Sequence, residues 1–132
     1  GPDWARFTPG RSGHLGSGPG HAIGAAASGR FDQIVFVTGD LSLGLSLSDL
    51  ETMVRYDLPV RVLVDNNGGI RAGASQSLKL TPRVTGHAPT DYAAIMRAVG
   101  GVGITVTTGD EWQDARTALF SATGPGMIDV RG

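Results

Sequence analysis

Two short stretches carry the residues best suited to chemistry in this chain, Thr38-Gly39-Asp40 and Asp65-Asn66-Asn67-Gly68-Gly69. A carboxylate, a side-chain amide oxygen and a free carbonyl in a glycine loop are hard oxygen donors, suited to Mg²⁺ or Ca²⁺. Magnesium sheds its water reluctantly and usually shares itself with the phosphates of a substrate or cofactor. Glycines beside it let backbone N–H groups approach those phosphates. The residues alone therefore describe a metal-bridged phosphate site. Asp and Asn at strand ends are also ordinary turn formers, and two such pieces taken alone are more often turns. No Ser-His-Asp or Cys-His arrangement can be argued from spacing. His14, in a glycine-rich turn, is a candidate proton relay but more commonly a turn residue, and His21 reads as structural. His87 falls in a polar loop, and Asp65 is a minor candidate for an additional metal ligand. Gly16-Ser17-Gly18-Pro19-Gly20 has the look of a dinucleotide loop but lacks a strong preceding strand and a well-placed acidic partner.

The elements that must position these residues are legible as hydrophobic runs. Gln33 to Thr38 and Val60 to Asp65 are β-branched and almost continuously apolar, as buried parallel strands are. Gly103 to Thr108 and Met127 to Val130 are weaker strands. Helical periods lie between them. Leu47, Leu50 and Val54 share a face after an apparent capping box at Ser46 to Asp49. Tyr92, Ile95, Met96 and Val99 form a stripe that stops at Gly100-Gly101. Trp112, Ala115 and Leu119 form another behind an N-cap at Asp110, with Trp112 in the core. A small-residue helix over about Pro19 to Ser28 precedes the first strong strand. Leu41, Leu43, Leu45 and Leu47 alternate with small residues at a strand's period. They read as a loop entering the helix, because a strand there leaves no room for a connection. Arg71 to Pro89 has no periodicity and reads as a loop near the active site. Strands alternating with helices across short joints predict an α/β fold with a mainly parallel sheet. Such sheets bind ligands at the carboxyl ends of their strands, where both candidate stretches lie.

The 132 residues suit one domain. Glycine is the outlier, 21 residues or about 16% against a usual ~7%, and it clusters at turns. A net charge of −1 gives no electrostatic case for nucleic acid or an anionic membrane. The absence of cysteine excludes disulfides and zinc thiolates and fits a reducing compartment, so a cytoplasmic location is expected. No run reaches the ~18 apolar residues of a membrane span.

The spacing carries a further resemblance. Gly39-Asp40 followed 27 positions later by Asn67, within Asn66-Asn67-Gly68-Gly69, resembles the thiamine-diphosphate motif, a GDG sequence followed by paired asparagines. Leu47 through Asn67 resembles the helix and strand of that motif. Gly13-His14-Leu15-Gly16 and Gly18-Pro19-Gly20-His21-Ala22-Ile23-Gly24 are similar to the family's glycine turn and small-residue helix. Thr90 through Gly100 and the closing Gly124-Pro125-Gly126-Met127-Ile128-Asp129-Val130 also match, so the resemblance covers nearly the whole chain. The chain resembles the pyrophosphate-binding, usually C-terminal, domain of acetolactate synthase and 2-oxoacid decarboxylase relatives. Each motif is weak alone; the combination is specific.

The resemblance implies a three-layer α/β sandwich with the thiamine-diphosphate-binding fold, lacking the usual opening strand and helix. It implies Mg²⁺ bound by the side chains of Asp40 and Asn67 and the carbonyl of Gly69. Backbone N–H groups around Leu41 and Ser42 hold the diphosphate, with Gly39 and Ile70 flanking them. Leu15 sits under the bent cofactor, next to His14, and the Gly13 carbonyl faces its 4′-amino group. The activating glutamate belongs to a pyrimidine-binding domain that nothing here resembles. The implied enzyme is therefore split, two copies of this chain with two of a pyrimidine-binding subunit, decarboxylating or ligating a 2-oxoacid. Leu41 departs from the family, which has a small residue there, and it motivates the alternative of a catalytically degenerate scaffold or regulatory subunit. Another phosphate- or nucleotide-binding α/β domain is the third possibility.

Overall fold

The computed structural model describes residues 5–8, 13–70 and 85–132. The element order is α1 (Gly18–Ala27), β1 (Ile34–Gly39), α2 (Asp40–Gly44), α3 (Ser48–Arg55), β2 (Val60–Asn66), α4 (Tyr92–Ala98), β3 (Val102–Val106), α5 (Trp112–Ser121) and β4 (Gly126–Arg131). The strands form one sheet in the order β1-β2-β4-β3, and every neighbouring pair is parallel. This is the α/β fold the sequence predicts. The apolar runs become strands because both faces of the central strand are covered: Val60, Val62 and Val64 of β2 are buried on one side and Leu63 packs on the other.

The two faces divide the core. On one face Ala22 and Ala26 of α1, Leu43 of α2, Leu50 and Met53 of α3, and Tyr92 and Met96 of α4 close over β2 and Met127 of β4. On the other, Ala115 and Leu119 of α5 pack on Val106 and Ile128, with Trp112 half-buried beside them. Helices on both sides of a sheet make the expected three layers. Close packing on the first face needs a bare backbone at Gly103, where a Cβ would come within 2.0 Å of the Ala93 carbonyl oxygen. At the end of β2 far from the candidate site, buried Arg61 donates to the carbonyls of Gly124 and Ala122 at the C-terminal end of α5. A cation there complements the negative end of the helix.

Some local expectations are corrected. Leu41 to Leu47 is neither strand nor plain loop: Asp40–Gly44 is a short helix, with Leu43 fully buried and Leu45 64% exposed. The capping box at Ser46 to Asp49 does not form, since Leu47 is the N-cap of α3 and no side chain caps it. The apolar face of α3 is centred on Leu50 and Met53, with Leu47 and Val54 half-buried at its margins. The N-cap of α5 is Glu111, not Asp110. The Glu111 carboxylate instead accepts from the N–H groups of Thr107 and Thr108, which hold it below the usual carboxylate range. Most of the polar stretch from Arg71 lies outside the described residues.

β1 forms one edge of the described sheet, and no described strand pairs with its outer side. Ile34 and Phe36 face the larger core, while Val35 and Val37, on the α5 side, are 49% and 68% exposed. No described helix is long and apolar enough to cross a membrane.

The packing at Gly103 yields a paired test by chemical denaturation. Gly103→Ala should destabilise the chain by about 1–3 kcal/mol through overpacking. Gly20→Ala, exposed within α1 with nothing near its added methyl, should be neutral or stabilising by up to about 1 kcal/mol.

Candidate functional site

β1 and β2 run parallel with Gly39 opposite Asp65, so both candidate stretches emerge at the same edge of the sheet. Asp40 opens α2 directly from β1 and is 1% exposed. Its Oδ1 accepts from the N–H of Leu41 at 2.6 Å. Its Oδ2 accepts from the N–H groups of Gly68 at 2.7 Å and Gly69 at 3.0 Å. Those amides reach the carboxylate because the loop after β2 turns through positive φ at both residues, 83° and 141°. Gly69 has no room for a side chain, since a Cβ would lie 2.1 Å from the Thr85 carbonyl oxygen. It bridges Gly86, Ile70 N–H donates to Thr85, and His87 N–H donates to Gly68. The segment from Thr85 is thus laid along the glycine loop.

That pairing delivers His87 to Asp40. His87 Nε2 lies 3.0 Å from Asp40 Oδ2, close enough for an ion pair but without the direction of a good hydrogen bond. His87 Nδ1 lies 2.8 Å from the Ala88 carbonyl oxygen. With an acceptor beside each nitrogen, the ring is suited to carrying both protons. Its pKa is raised above 6.5, chiefly by the Ala88 carbonyl and further by the Asp40 charge, with burial opposing. Among the described residues no lysine or arginine pairs with Asp40.

A second rim comes from the turn before α1. Gly16 N–H donates to Ser42 Oγ at 3.1 Å, and Ser46 Oγ donates to the Gly16 carbonyl at 2.5 Å. The two serines, four residues apart, grip both polar groups of one peptide segment and fix the Gly13–Gly16 turn beside α2. Gly13, His14 and Leu15 are exposed on this turn, Leu15 by 58%. Between α2 and the segment 87–92 lies a cavity of about 340 Å³ lined by Leu41, Leu45, Leu47, His87, Thr90 and Tyr92. The Tyr92 hydroxyl donates to the Asp40 carbonyl at 2.9 Å, and burial raises its pKa.

The structure brings Gly39, Asp40, Leu41, Ser42 and the Gly68-Gly69 loop together, with the turn of Gly13, His14 and Leu15 tied to it through Gly16. Asn67 and Ile70 are exposed on that loop, and Asp65 is exposed before it. The Leu41 amide already donates to Asp40, and its side chain is half-buried against the cavity. His21 keeps a local contact, its Nδ1 2.7 Å from the Ser17 carbonyl. Sequence reasoning gave Tyr92 only a packing role and Ser46 only a capping one. The Ser42–Ser46 spacing was the available signal for the grip on Gly16; nothing in the sequence points from His87 to Asp40.

A parallel α/β domain with a buried carboxylate and glycine loops at the carboxyl ends of two adjacent strands is the class this architecture defines. More particularly, residues 3–130 match the family model described as thiamine pyrophosphate enzyme, C-terminal TPP binding domain, and the chain belongs to that family. It is 37% identical to a 2-hydroxyacyl-CoA lyase of Oryza sativa subsp. japonica and 37% identical to the oxalyl-CoA decarboxylase of Escherichia coli, each over 95% of this chain. It is 32% identical over 89% of its length to an acetolactate synthase large subunit of Mycobacterium tuberculosis. These alignments span 23%, 22% and 22% of the relatives, so the chain corresponds to about a quarter of each. A thiamine diphosphate-dependent 4-hydroxybenzoylformate decarboxylase of Rhodococcus jostii superposes on 91% of the chain with a TM-score of 0.81, at 29% identity and over 23% of that protein.

The donor chemistry at this end of the sheet, a carboxylate with amide and carbonyl oxygens on the neighbouring loop, is of the kind that fits the metal this family implies. The Asp40 carboxylate is met here by backbone amides and by His87, and a divalent cation would have to take the histidine's place beside Oδ2. Among the described residues no cluster of three His, Cys, Asp or Glu gathers, so a metal here would need oxygen donors of amide and carbonyl type beside Asp40. Magnesium accepts such donors.

The His87 contact gives a pH test on the metal-free chain. The folded pKa lies above 6.5, so the contact stabilises fully below pH 6.5 and is lost as pH rises through the folded value. In urea titrations His87→Gln should be penalised more at about pH 5.5 than at about pH 9. An equal penalty at both would show that the contact carries no charge.

Proposed function

We propose that this chain is the diphosphate- and metal-binding half of a thiamine-diphosphate-dependent enzyme that decarboxylates a 2-oxoacid or 2-oxoacyl compound, or ligates the fragment that remains. The observation that carries the reading is Asp40, a buried carboxylate aimed between two strand ends and held by the Gly68 and Gly69 amides. Asp40 and Asn67 supply side-chain oxygens to Mg²⁺ and Gly69 its carbonyl. The first turn of α2, at Leu41 and Ser42, faces the diphosphate, with Gly39 and Ile70 at its sides. Asn67 is solvent-exposed on the same glycine loop. The Gly13 carbonyl and Leu15, on the turn held by Ser42 and Ser46, contact the aminopyrimidine end and the underside of the cofactor, with His14 beside them. When bound, thiamine diphosphate supplies an electron sink for the carbanion left by bond cleavage. The chain's own work is binding and orientation.

The remaining half, with the glutamate that activates the aminopyrimidine, lies outside these residues. In the proposed assembly a pyrimidine-binding subunit provides it, two copies of each chain making paired sites in the cytoplasm. The exposed apolar side chains of Leu15, Leu45 and Ile70 around the polar centre support a protein surface closing over it. The names of two relatives, a 2-hydroxyacyl-CoA lyase and an oxalyl-CoA decarboxylase, make acyl-CoA thioesters the first substrates to try.

With the pyrimidine-binding unit present, thiamine diphosphate and Mg²⁺ should raise the melting temperature. Ligand at 100 times its Kd is worth about 2.7 kcal/mol. Asp40→Ala should abolish the shift and Asn67→Ala should weaken it severely, while Asp65→Asn should leave it nearly intact. No shift in the parent would overturn the cofactor assignment and leave the scaffold reading standing. Leu41→Gly should bind the cofactor at least as tightly as the parent if the leucine crowds the diphosphate. The chain by itself should not exchange the cofactor's C2 proton above the uncatalysed rate.

A further inference from the structure

Behind the site, on the helix-rich face of the sheet, lies a carboxylate that touches no solvent. Asp129, on β4 between β2 and β3, is 0% exposed. Its Oδ1 accepts from Asn66 Nδ2 at 2.8 Å. Its Oδ2 accepts from the N–H of Tyr92 at 3.2 Å, from Arg131 Nε at 3.1 Å and from Arg131 Nη2 at 3.0 Å. Asn66 Nδ2 also donates to the Thr90 carbonyl at 3.0 Å. Arg131 reaches on to Asp91, the N-cap of α4, at 3.0 Å. Four donors satisfy the buried charge, and a cation neutralises it.

The partners are the informative part. Asn66 is the last residue of β2, one peptide before Asn67, and Tyr92 is the residue whose hydroxyl donates to the Asp40 carbonyl. One carboxylate therefore reaches the two proposed metal-bearing loops, the second through Asn66 and the first through Tyr92. Hydrophobic packing alone would hold β2 and α4 together but would leave their axial registers soft, whereas hydrogen bonds fix them.

We propose that Asp129 is a positioning residue for metal and diphosphate binding, setting the relative placement of Asp40 and Asn67 through Tyr92 and Asn66. This rests on the reading of Asp40 and Asn67 as magnesium ligands. Asp129 touches neither ion nor cofactor, and its effect is on how much of the binding geometry exists before the ion arrives. Partners that orient metal ligands from behind typically cost 10–100-fold in metal affinity when changed.

The test titrates Mg²⁺ at fixed thiamine diphosphate, with binding followed by calorimetry on the chain complexed with its pyrimidine-binding unit. Asp129→Asn keeps the volume but presents an N–H₂ group to at least one donor. It should raise the Mg²⁺ concentration for half-maximal binding about tenfold or more. Tyr92→Phe, which removes only the hydroxyl reaching Asp40, should move it in the same direction by less, and it decides the matter if Asp129→Asn does not fold. Leu119→Ala, in the opposite core, should lower the melting temperature and leave the Mg²⁺ midpoint unmoved. Midpoints within about twofold of the parent for the folded variants, or an equal shift in Leu119→Ala, would overturn the proposal. If the parent itself shows no Mg²⁺-dependent binding, the ligand assignment fails and the proposal with it; parent binding with unshifted variants sinks the proposal alone.

Discussion

The Asp40 carboxylate is the constraint around which this end of the molecule is arranged. A charge with 1% exposure must be met by donors, and the chain offers it three backbone amides. Two of them come from Gly68 and Gly69, and only a loop through positive φ aims consecutive amides at one oxygen. That loop in turn leaves its outer edge open, and the segment at Thr85 to His87 fills it by pairing with Gly68 and Ile70. The short helix α2, the glycine loop, the returning segment and the histidine at its end all follow from burying one carboxylate where two parallel strands stop.

The same logic explains what could be read from the sequence and what could not. β2 is legible because a strand buried on both faces must be apolar almost throughout, as Val60 to Val64 are. β1 reads the same way from Ile34 to Val37, yet the expectation that it is buried on both faces is corrected, since Val35 and Val37 lie exposed. The stripe of α4 and its stop at Gly100 are legible because one face of a helix repeats and Gly100 takes a φ of 98°. α2 was not legible: five residues are too few to show a helical period, and Leu41 to Leu47 imitate a strand. Ser46 carries the signature of a helix cap, yet a turn from thirty residues earlier claims its hydroxyl. Asp40, Asn67 and the glycines stand out by type and spacing. His87 and Asp129 do not, because what matters about them is contact across the sheet and across a non-periodic loop.

Polar and apolar groups are segregated around the site. The centre is a charge wrapped in peptide dipoles; the margin is Leu15, Leu45 and Ile70, all substantially exposed. A polar centre in a greasy rim is costly as a free surface and favourable as a buried one. Once water is excluded, the dipoles at the centre act in a medium of lower dielectric and count for more. The arrangement suits a site that another protein surface covers, and its orienting groups sit at the ends of strands.

The flank of β1 that no described strand covers has a different consequence. An edge strand carries a row of unpaired N–H and C=O groups, and here Val35 and Val37 present an apolar face beside it. Such an edge is a template for any other strand that reaches it. The stretch Ile34 to Thr38 carries no charge of its own and is flanked only by Asp32 and the buried Asp40. With no described strand beside it, this strand is where self-association of the 132 residues is expected to begin if they are produced alone. A lysine at position 35 or 37, facing the uncovered side, is the economical change for keeping such a preparation monodisperse without touching the strand ends where the site is built.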